Sequence, residues 1–147
     1  MDECHFCESV GRSDPPEGGW VYSTDRFRAY ALPAVSVPGW VVLHTTRHAV
    51  GLAGLDEEES RELGIGIQHL SRAMTHLCDT PKIYMFAMAD RVPHFHMMLG
   101  AAPRTSPGEE GGAALLTRIL MKDPTLRDRE KSLMVAQQLR DLLKPPM

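Results

Sequence analysis

The pattern of hydrophobic and polar residues predicts one long helix in the middle of the chain. Between residues 57 and 78, apolar side chains recur every three or four positions, which is the period of an amphipathic helix with one buried stripe. Asp56 precedes this stretch and three glutamates open it, so carboxylates cap the helix and lie at the positive end of its dipole. The apolar stripe consists of Leu63, Ile67, Leu70, Met74 and Leu77.

Shorter apolar runs bounded by turn residues predict a β-sheet, and Thr24 and Asp25 form a tight turn between the first two runs. Two further helices are predicted at residues 113–121 and 127–143. Together these elements predict an α+β fold, an antiparallel sheet of about five strands with helices packed on one side. The predicted strands cover residues 20–23, 27–32, 40–44, 83–88 and 95–99.

Composition and charge narrow the class of protein. The length of 147 residues predicts a single domain, in which residues 1–19 form a cysteine-bearing knuckle and loop and residues 108–147 form C-terminal helices. The net charge is -3 and charges of both signs are interspersed, which argues against nucleic acid as a partner. No stretch approaches the roughly 20 apolar residues of a membrane span, and no signal-peptide pattern is present. We therefore expect a cytoplasmic protein without membrane association.

Residues 92–99 place two histidines two positions apart in a run that is otherwise almost all apolar. In an extended strand, side chains alternate between faces, so His94, His96 and Met98 share one face. An imidazole is the commonest metal ligand and a competent nucleophile near neutral pH, so the two histidines can divide these roles. A plainer alternative is a pair of half-exposed strand histidines without chemical function.

Cys4 and Cys7 form a Cys-x-x-Cys pair near the start of the sequence. Two intervening residues let one turn of chain present both thiolates to a single tetrahedral zinc ion. With three cysteines in all, a metal site in a reducing compartment explains the pair better than a disulfide framework does. The alternative is a vestigial pair that binds nothing.

Three segments, taken in order, resemble the histidine triad (HIT) superfamily. They are the Cys-x-x-Cys pair, residues 38–48, which begin with Pro-Gly and end in a histidine, and the His94-x-His96 run. Residues 82–93 also align without gaps with the strand and turn that precede the histidines in one bacterial branch. The resemblance covers most of the chain. It implies a HIT-like fold, one structural zinc ion per chain and a homodimer formed through the sheet edge and the helix that follows it.

The resemblance also implies roles for individual side chains. His96 matches the central histidine of the triad, which in catalytic members attacks an α-phosphate and forms a covalent nucleotidyl-imidazole. This attack needs one free ring nitrogen, while the other donates its proton to a backbone carbonyl. The zinc ligands implied by the resemblance are Cys4, Cys7, His48 and His94.

Departures from the superfamily pattern fall at functional positions. Met98 stands in place of the third histidine, Trp40 replaces the histidine after Pro-Gly, and Leu32 stands about where an aspartate grips the ribose hydroxyls. A thioether is a weak acceptor and an apolar chain accepts no hydrogen bond, so several contacts to a nucleotide are missing. Met98 would make the pocket beside His96 less polar, and His44 lies on a strand face from which it could reach that pocket.

Three functions therefore stay open. The first is a hydrolase or transferase that acts through His96 on a phosphoric anhydride, ester or phosphoramidate, with a small-molecule substrate such as a nucleotide. The second is a repurposed HIT scaffold that acts on a non-nucleotide small molecule in specialised metabolism, and the third is a non-catalytic module that binds a ligand or a partner chain. Anion-binding groups near His96 would favour the first, and the sequence offers Arg91, Arg104 and Thr105.

Overall fold

The computed structural model of the chain describes residues 4–11, 14–80, 82–102 and 112–144. Each predicted strand and helix has a counterpart in these ranges, and the one α-helix in them that the sequence pattern did not predict follows Cys4. No helix in these ranges is both long and apolar enough to cross a membrane. The elements are α1 (His5–Gly11), β1 (Tyr22–Ser23), β2 (Phe27–Tyr30), β3 (Trp40–Thr45), a 3-10 helix (Leu52–Gly54), α2 (Glu57–Leu77), β4 (Ile83–Phe86), β5 (His96–Ala101), α3 (Gly112–Leu120) and α4 (Arg129–Leu143).

The strands form one antiparallel sheet in the order β1-β2-β3-β5-β4. β3 and β5 are neighbours in register, so that His44 faces His96 and Trp40 faces Gly100. The packing requires glycine at position 100, because a Cβ atom built there would lie 2.0 Å from the Trp40 indole. β4 forms one edge of the sheet.

The two long helices, α2 and α4, cover one face of the sheet. Leu70 of α2 and Leu139 of α4 are fully buried in one apolar cluster with Leu43 and Leu99 of the central strands. Met74 is buried there too, and the other members of the α2 stripe pack against the cluster. The predicted amphipathic helix is thus confirmed.

The opposite face carries the histidines, and side chains of the two short helices pack on it. The two long helices are the ones that pack on one side of the sheet, as expected. The short helices α1 and α3 pack on the other face, which bears His44 and His96. The buried members of this second apolar cluster are Phe6, Tyr30, Trp40, Val42, Met98, Leu115 and Ile119.

The start of α2 also anchors the loop that follows β3. The Asp56 carboxylate accepts from the Glu59 N–H at 2.8 Å, and the Glu59 carboxylate accepts from the Asp56 N–H at 2.9 Å, which makes a capping box. Glu59 is 3% exposed and forms a 2.6 Å ion pair with Arg47. The predicted cap is confirmed, and it ties the residue before His48 to the helix.

Candidate metal centre and active site

Four side chains that the sequence analysis assigned to zinc converge on one point. The sulfurs of Cys4 and Cys7 and one ring nitrogen each of His48 and His94 all lie within 4.8 Å of one another. Nδ1 of His94 is 3.3 Å from the Cys4 sulfur and 3.4 Å from the Cys7 sulfur. Nδ1 of His48 is 3.2 Å from the Cys7 sulfur. Residues as far as 90 positions apart in sequence thus form one donor set.

Local backbone structure presents these donors. Cys4 immediately precedes α1 and Cys7 lies in its first turn, so one helical turn presents both sulfurs. His94 forms an isolated antiparallel bridge with Val50. This bridge brings the loop after β3, which carries His48, against the segment before β5.

Hydrogen bonding fixes which nitrogen of His94 can bind a metal. His94 is fully buried, and its Nε2–H donates to the Thr45 carbonyl at 2.7 Å. Because a carbonyl only accepts, this bond keeps the proton on Nε2 and leaves the lone pair on Nδ1, the atom beside the two sulfurs. Burial also lowers the pKa of His94, which favours the neutral form that a metal requires.

The donor set suits a tetrahedral zinc ion. Two thiolates and two imidazoles are typical of structural zinc sites, and zinc would separate neighbouring sulfur and nitrogen ligands by about 3.6 Å. The sulfur–nitrogen distances of 3.2 to 3.4 Å are slightly shorter, so a small outward movement of the side chains admits the ion. Burial, with Cys4 as a neighbour, raises the pKa of the Cys7 thiol, so a bound cation has to displace its proton.

His96 has the tautomer that nucleophilic attack requires. Its Nδ1–H donates to the His94 backbone carbonyl at 2.8 Å, which leaves the lone pair on Nε2. The side chain is half-buried, and the Phe6 ring lies 4.7 Å away between ring centroids. The carbonyl that orients His96 belongs to one of the four metal-donor residues, so the two sites are linked through the backbone of His94.

His44 lies beside His96 on the neighbouring strand and is fully buried. Its Nδ1–H donates to the Thr45 carbonyl at 2.9 Å, the same oxygen that accepts from His94. Within the described ranges, Nε2 of His44 is the one buried side-chain nitrogen or oxygen without a hydrogen-bond partner. Burial lowers the pKa of His44 to about 4, so the ring is neutral at pH 7 and offers an unpaired acceptor.

Met98 lies inside the second apolar cluster. It is 7% exposed and shares that cluster with Trp40 and with Leu115 and Ile119 of α3. An imidazole in such surroundings would need hydrogen-bond partners that apolar side chains do not supply. The packing therefore suits methionine and tryptophan at two positions where the superfamily pattern has histidine.

Positive charge near the histidines comes from a residue that the sequence analysis did not single out. Arg28 pairs with His44 across β2 and β3 and contributes, after burial, to the lowered pKa of that histidine. Arg91 is exposed in the bend before β5. The other two anion-binding candidates, Arg104 and Thr105, lie outside the described residues.

The sequence analysis also missed Phe6 and a polar cavity beside it. Phe6 contacts four histidine rings, and the signal that could have found it is its place between Cys4 and Cys7. His5 is exposed, and its Nε2 lies 3.3 Å from the Tyr30 hydroxyl. Both line a cavity of about 480 Å³, and burial raises the pKa of Tyr30 to about 12.

Comparison with known proteins finds matches in three-dimensional structure and none in sequence. No protein-family model matches the sequence, and no curated protein matches it. Solved structures do match. A HIT-like protein involved in cell-cycle regulation from Bartonella henselae gives a TM-score of 0.71 at 17% identity, covering 97% of this chain and 98% of that one.

Two further structures agree with this match. A hypothetical histidine triad nucleotide-binding protein from Sulfolobus tokodaii gives a TM-score of 0.70 at 14% identity, covering 95% of this chain and 91% of that one. A zinc-bound histidine triad family protein from Mycobacterium smegmatis gives 0.67 at 19% identity, covering 96% and 95%. Identities this low establish the fold, and the chain therefore has the histidine triad fold that its sequence resembles.

Proposed function

We propose that the chain is a zinc-containing enzyme of histidine triad fold that cleaves a phosphoric anhydride, ester or phosphoramidate with His96 as nucleophile. One observation carries this proposal. The His96 Nδ1–H donates to the His94 carbonyl at 2.8 Å, so Nε2 is held as the unprotonated ring nitrogen. A nucleotide-type substrate is supported by the fold neighbour that is named as nucleotide-binding.

The proposed reaction has two steps. The Nε2 lone pair of His96 attacks phosphorus, and the bond to the leaving group breaks as the nitrogen–phosphorus bond forms; the leaving group takes up a proton from water. Positive charge develops on the imidazole, and the His94 carbonyl stabilises it through the Nδ1–H bond. A second water then attacks phosphorus, the nitrogen–phosphorus bond breaks, and a water proton passes to solvent as neutral His96 is regenerated.

We assign zinc to the four-donor cluster and give it a structural role. Cys4, Cys7, His48 and His94 would fill all four positions of a tetrahedral ion, so the ion cross-links the chain and offers substrate no open position. Because the carbonyl that orients His96 belongs to His94, holding His94 in place also fixes the direction of the His96 ring.

A second candidate function is chemistry on a non-nucleotide small molecule. It is favoured by the apolar side chains that lie on the same sheet face as the histidines, beside α3. Met98 and Trp40 are buried in an apolar cluster, and half-buried Leu32 packs against it. These side chains give a ribose or a phosphate no strong hydrogen bond. Within this alternative, the cavity lined by His5 and Tyr30 has the size of a small-molecule site.

We also propose a homodimer formed through β4. β4 is an edge strand, in which Met85 is 52% exposed, and nearby Met88 is 46% exposed. An exposed apolar edge is a template for strand pairing, and a second copy of the chain would cover it. Sedimentation at micromolar concentration should show a dimer, and a monomer under those conditions would contradict this assembly.

Substitution of His96 tests the proposed nucleophile. His96→Ala should lower turnover of an adenosine phosphoramidate or a dinucleotide by roughly 10⁴-fold or more, with zinc content and melting temperature unchanged. His69→Ala, which removes an exposed imidazole from α2, is the matched control and should keep full turnover. Turnover that survives His96→Ala would contradict the nucleophile. No nucleotide turnover by zinc-loaded wild type would favour the non-nucleotide function.

A further inference from the structure

The short helix α1 connects the metal donors to the histidine face through one side chain. Phe6 lies between Cys4 and Cys7 in sequence and is 4% exposed. Its ring centroid is 4.7 Å from that of His44 and 4.7 Å from that of His96. The residue that packs over both rings is therefore carried by the same helical turn that carries two of the four donors.

Apart from the burial of Phe6, few contacts hold α1 in this place. It has seven residues, which is shorter than an isolated helix needs to be stable in water. Its contacts with the rest of the chain include the approach of His5 to the Tyr30 hydroxyl and the close sulfur–nitrogen pairs of Cys4 and Cys7. A metal ion in the four-donor site would turn those pairs into coordinate bonds and so cross-link α1 to the sheet.

A buried polar atom beneath Phe6 opposes the closed arrangement. Nε2 of His44 is buried and has no hydrogen-bond partner among the residues that the structure describes. Water would supply a partner if α1 moved away, so packing the helix over His44 costs free energy. The cross-link through Cys4 and Cys7 acts against this cost.

We propose that Phe6 is a positioning residue that covers His44 and His96 only while the four-donor site holds its metal. Metal occupancy then controls whether water reaches the fully buried His44 ring, and chelation uncovers this ring. The proposal rests on the metal site of the proposed function and not on its reaction, and it holds for any substrate of His96.

Histidine modification by diethyl pyrocarbonate tests this without an activity assay. The reagent acylates accessible, unprotonated imidazole. Modification of exposed His48 shows that the metal has been lost, and modification of exposed His69 measures the dose of reagent. Modification of His44 shows that Phe6 no longer covers its ring. Trypsin separates the three: His44 falls in peptide 29–47, His48 in peptide 48–61 and His69 in peptide 62–72.

In the metal-loaded protein, His44 and His48 should stay unmodified while His69 reacts. After chelation, both should react to an extent comparable with His69. Metal-loaded Phe6→Ala should make His44 reactive while His48 stays protected, whereas Val10→Ala on the same helix should leave His44 protected. Peptide mass mapping measures all of these at once.

Either of two results would overturn this proposal while leaving the metal site intact: a chelated protein in which His48 reacts and His44 does not, or a metal-loaded Phe6→Ala in which His44 stays protected. If Phe6→Ala loses its metal, Phe6→Val replaces it and must make His44 more reactive than in wild type. If chelation abolishes the cooperative melting transition, the reactivity of His44 in the metal-loaded Phe6 variant is the result that tests the proposal. Purified protein without metal would overturn the metal-site proposal and this one together, whereas loss of the phosphoryl-transfer proposal leaves every result here unchanged.

Discussion

The two ends of one sheet face differ in chemistry although the same strands, β3 and β5, build both. At one end, His44 and His96 lie under Phe6 and next to the four-donor cluster. At the other end, Trp40 and Met98 lie in an apolar cluster with side chains of α3. The difference arises from the covering helix, since α1 brings sulfur donors and an aromatic ring while α3 brings leucine and isoleucine.

This difference shows how a fold can be kept while part of a site changes. The register of β3 and β5 depends on backbone hydrogen bonds, which are indifferent to whether position 98 holds histidine or methionine. The apolar end also borders a cavity of about 520 Å³, with Trp40, Leu115 and Ile119 in its lining. The metal end holds the four metal donors and two histidines whose tautomers are set by backbone carbonyls.

The largest effect should come from breaking the metal end. His94→Ala removes a donor, a bond to the Thr45 carbonyl and a fully buried ring. Metal content should fall to near zero and the free energy of unfolding by on the order of 5 kcal/mol or more. Elemental analysis and urea unfolding measure both, with His69→Ala as control. A variant that still binds metal at wild-type level would show that His94 is not a ligand.

Breaking the apolar end should cost less and should spare the metal. Met98→Ala opens a cavity in the second apolar cluster, so the free energy of unfolding should fall by about 2–4 kcal/mol. Elemental analysis should give unchanged metal content. A loss below about 1 kcal/mol would mean that the site collapses without strain or that Met98 is not a core residue.

A smaller, pH-dependent effect should come from the anchor of the metal-end loop. Arg47 holds the pKa of Glu59 below its usual range, so the Glu59 carboxylate contributes stability above about pH 4.5 that is lost as the pH falls. Glu59→Gln should cost about 1–2 kcal/mol at pH 7. It should also flatten the loss of stability below about pH 4.5. Identical acid profiles for the two proteins in urea titrations would refute the role of this ion pair.

The smallest effect is expected from a substitution that makes one position of the metal end as apolar as the other end. His44→Leu removes the unpartnered Nε2, while the Thr45 carbonyl keeps its bond from His94. The variant should be more stable by about 1 kcal/mol, which corresponds to about 3 °C in melting temperature. A lower melting temperature in calorimetry would mean that Nε2 has a partner in solution, such as a buried water.

Much of the fold could be predicted because it depends on local pattern. The apolar stripe of α2 and the alternation along the strands are short-range periodicities, and the side chains they predict to be buried do pack in the core. The Asp56 cap follows from residue type and position alone. The four donors could be named because a family resemblance assigned them, although they come together only through strand pairing and the bridge of His94 to Val50.

The remaining features depend on tertiary contacts that no local pattern contains. The short helix α1 was not predicted from the pattern of residues, and Phe6 packs into the second cluster across more than 80 positions of sequence to reach His96. The sequence shows that Met98 departs from a pattern, but only the position of α3 shows that the residue is buried. The unpartnered nitrogen of His44 likewise follows from burial on all sides.

The most direct test of the central claim is to look for phosphorus on His96. Zinc-loaded protein is mixed with an adenosine phosphoramidate or a dinucleotide, quenched during turnover and digested, and the peptide that begins at Val92 after cleavage at Arg91 is examined by mass spectrometry. The account predicts an adenylyl adduct on His96 that disappears in His96→Ala. Turnover without any adduct on that peptide, or an adduct on His44 instead, would contradict it.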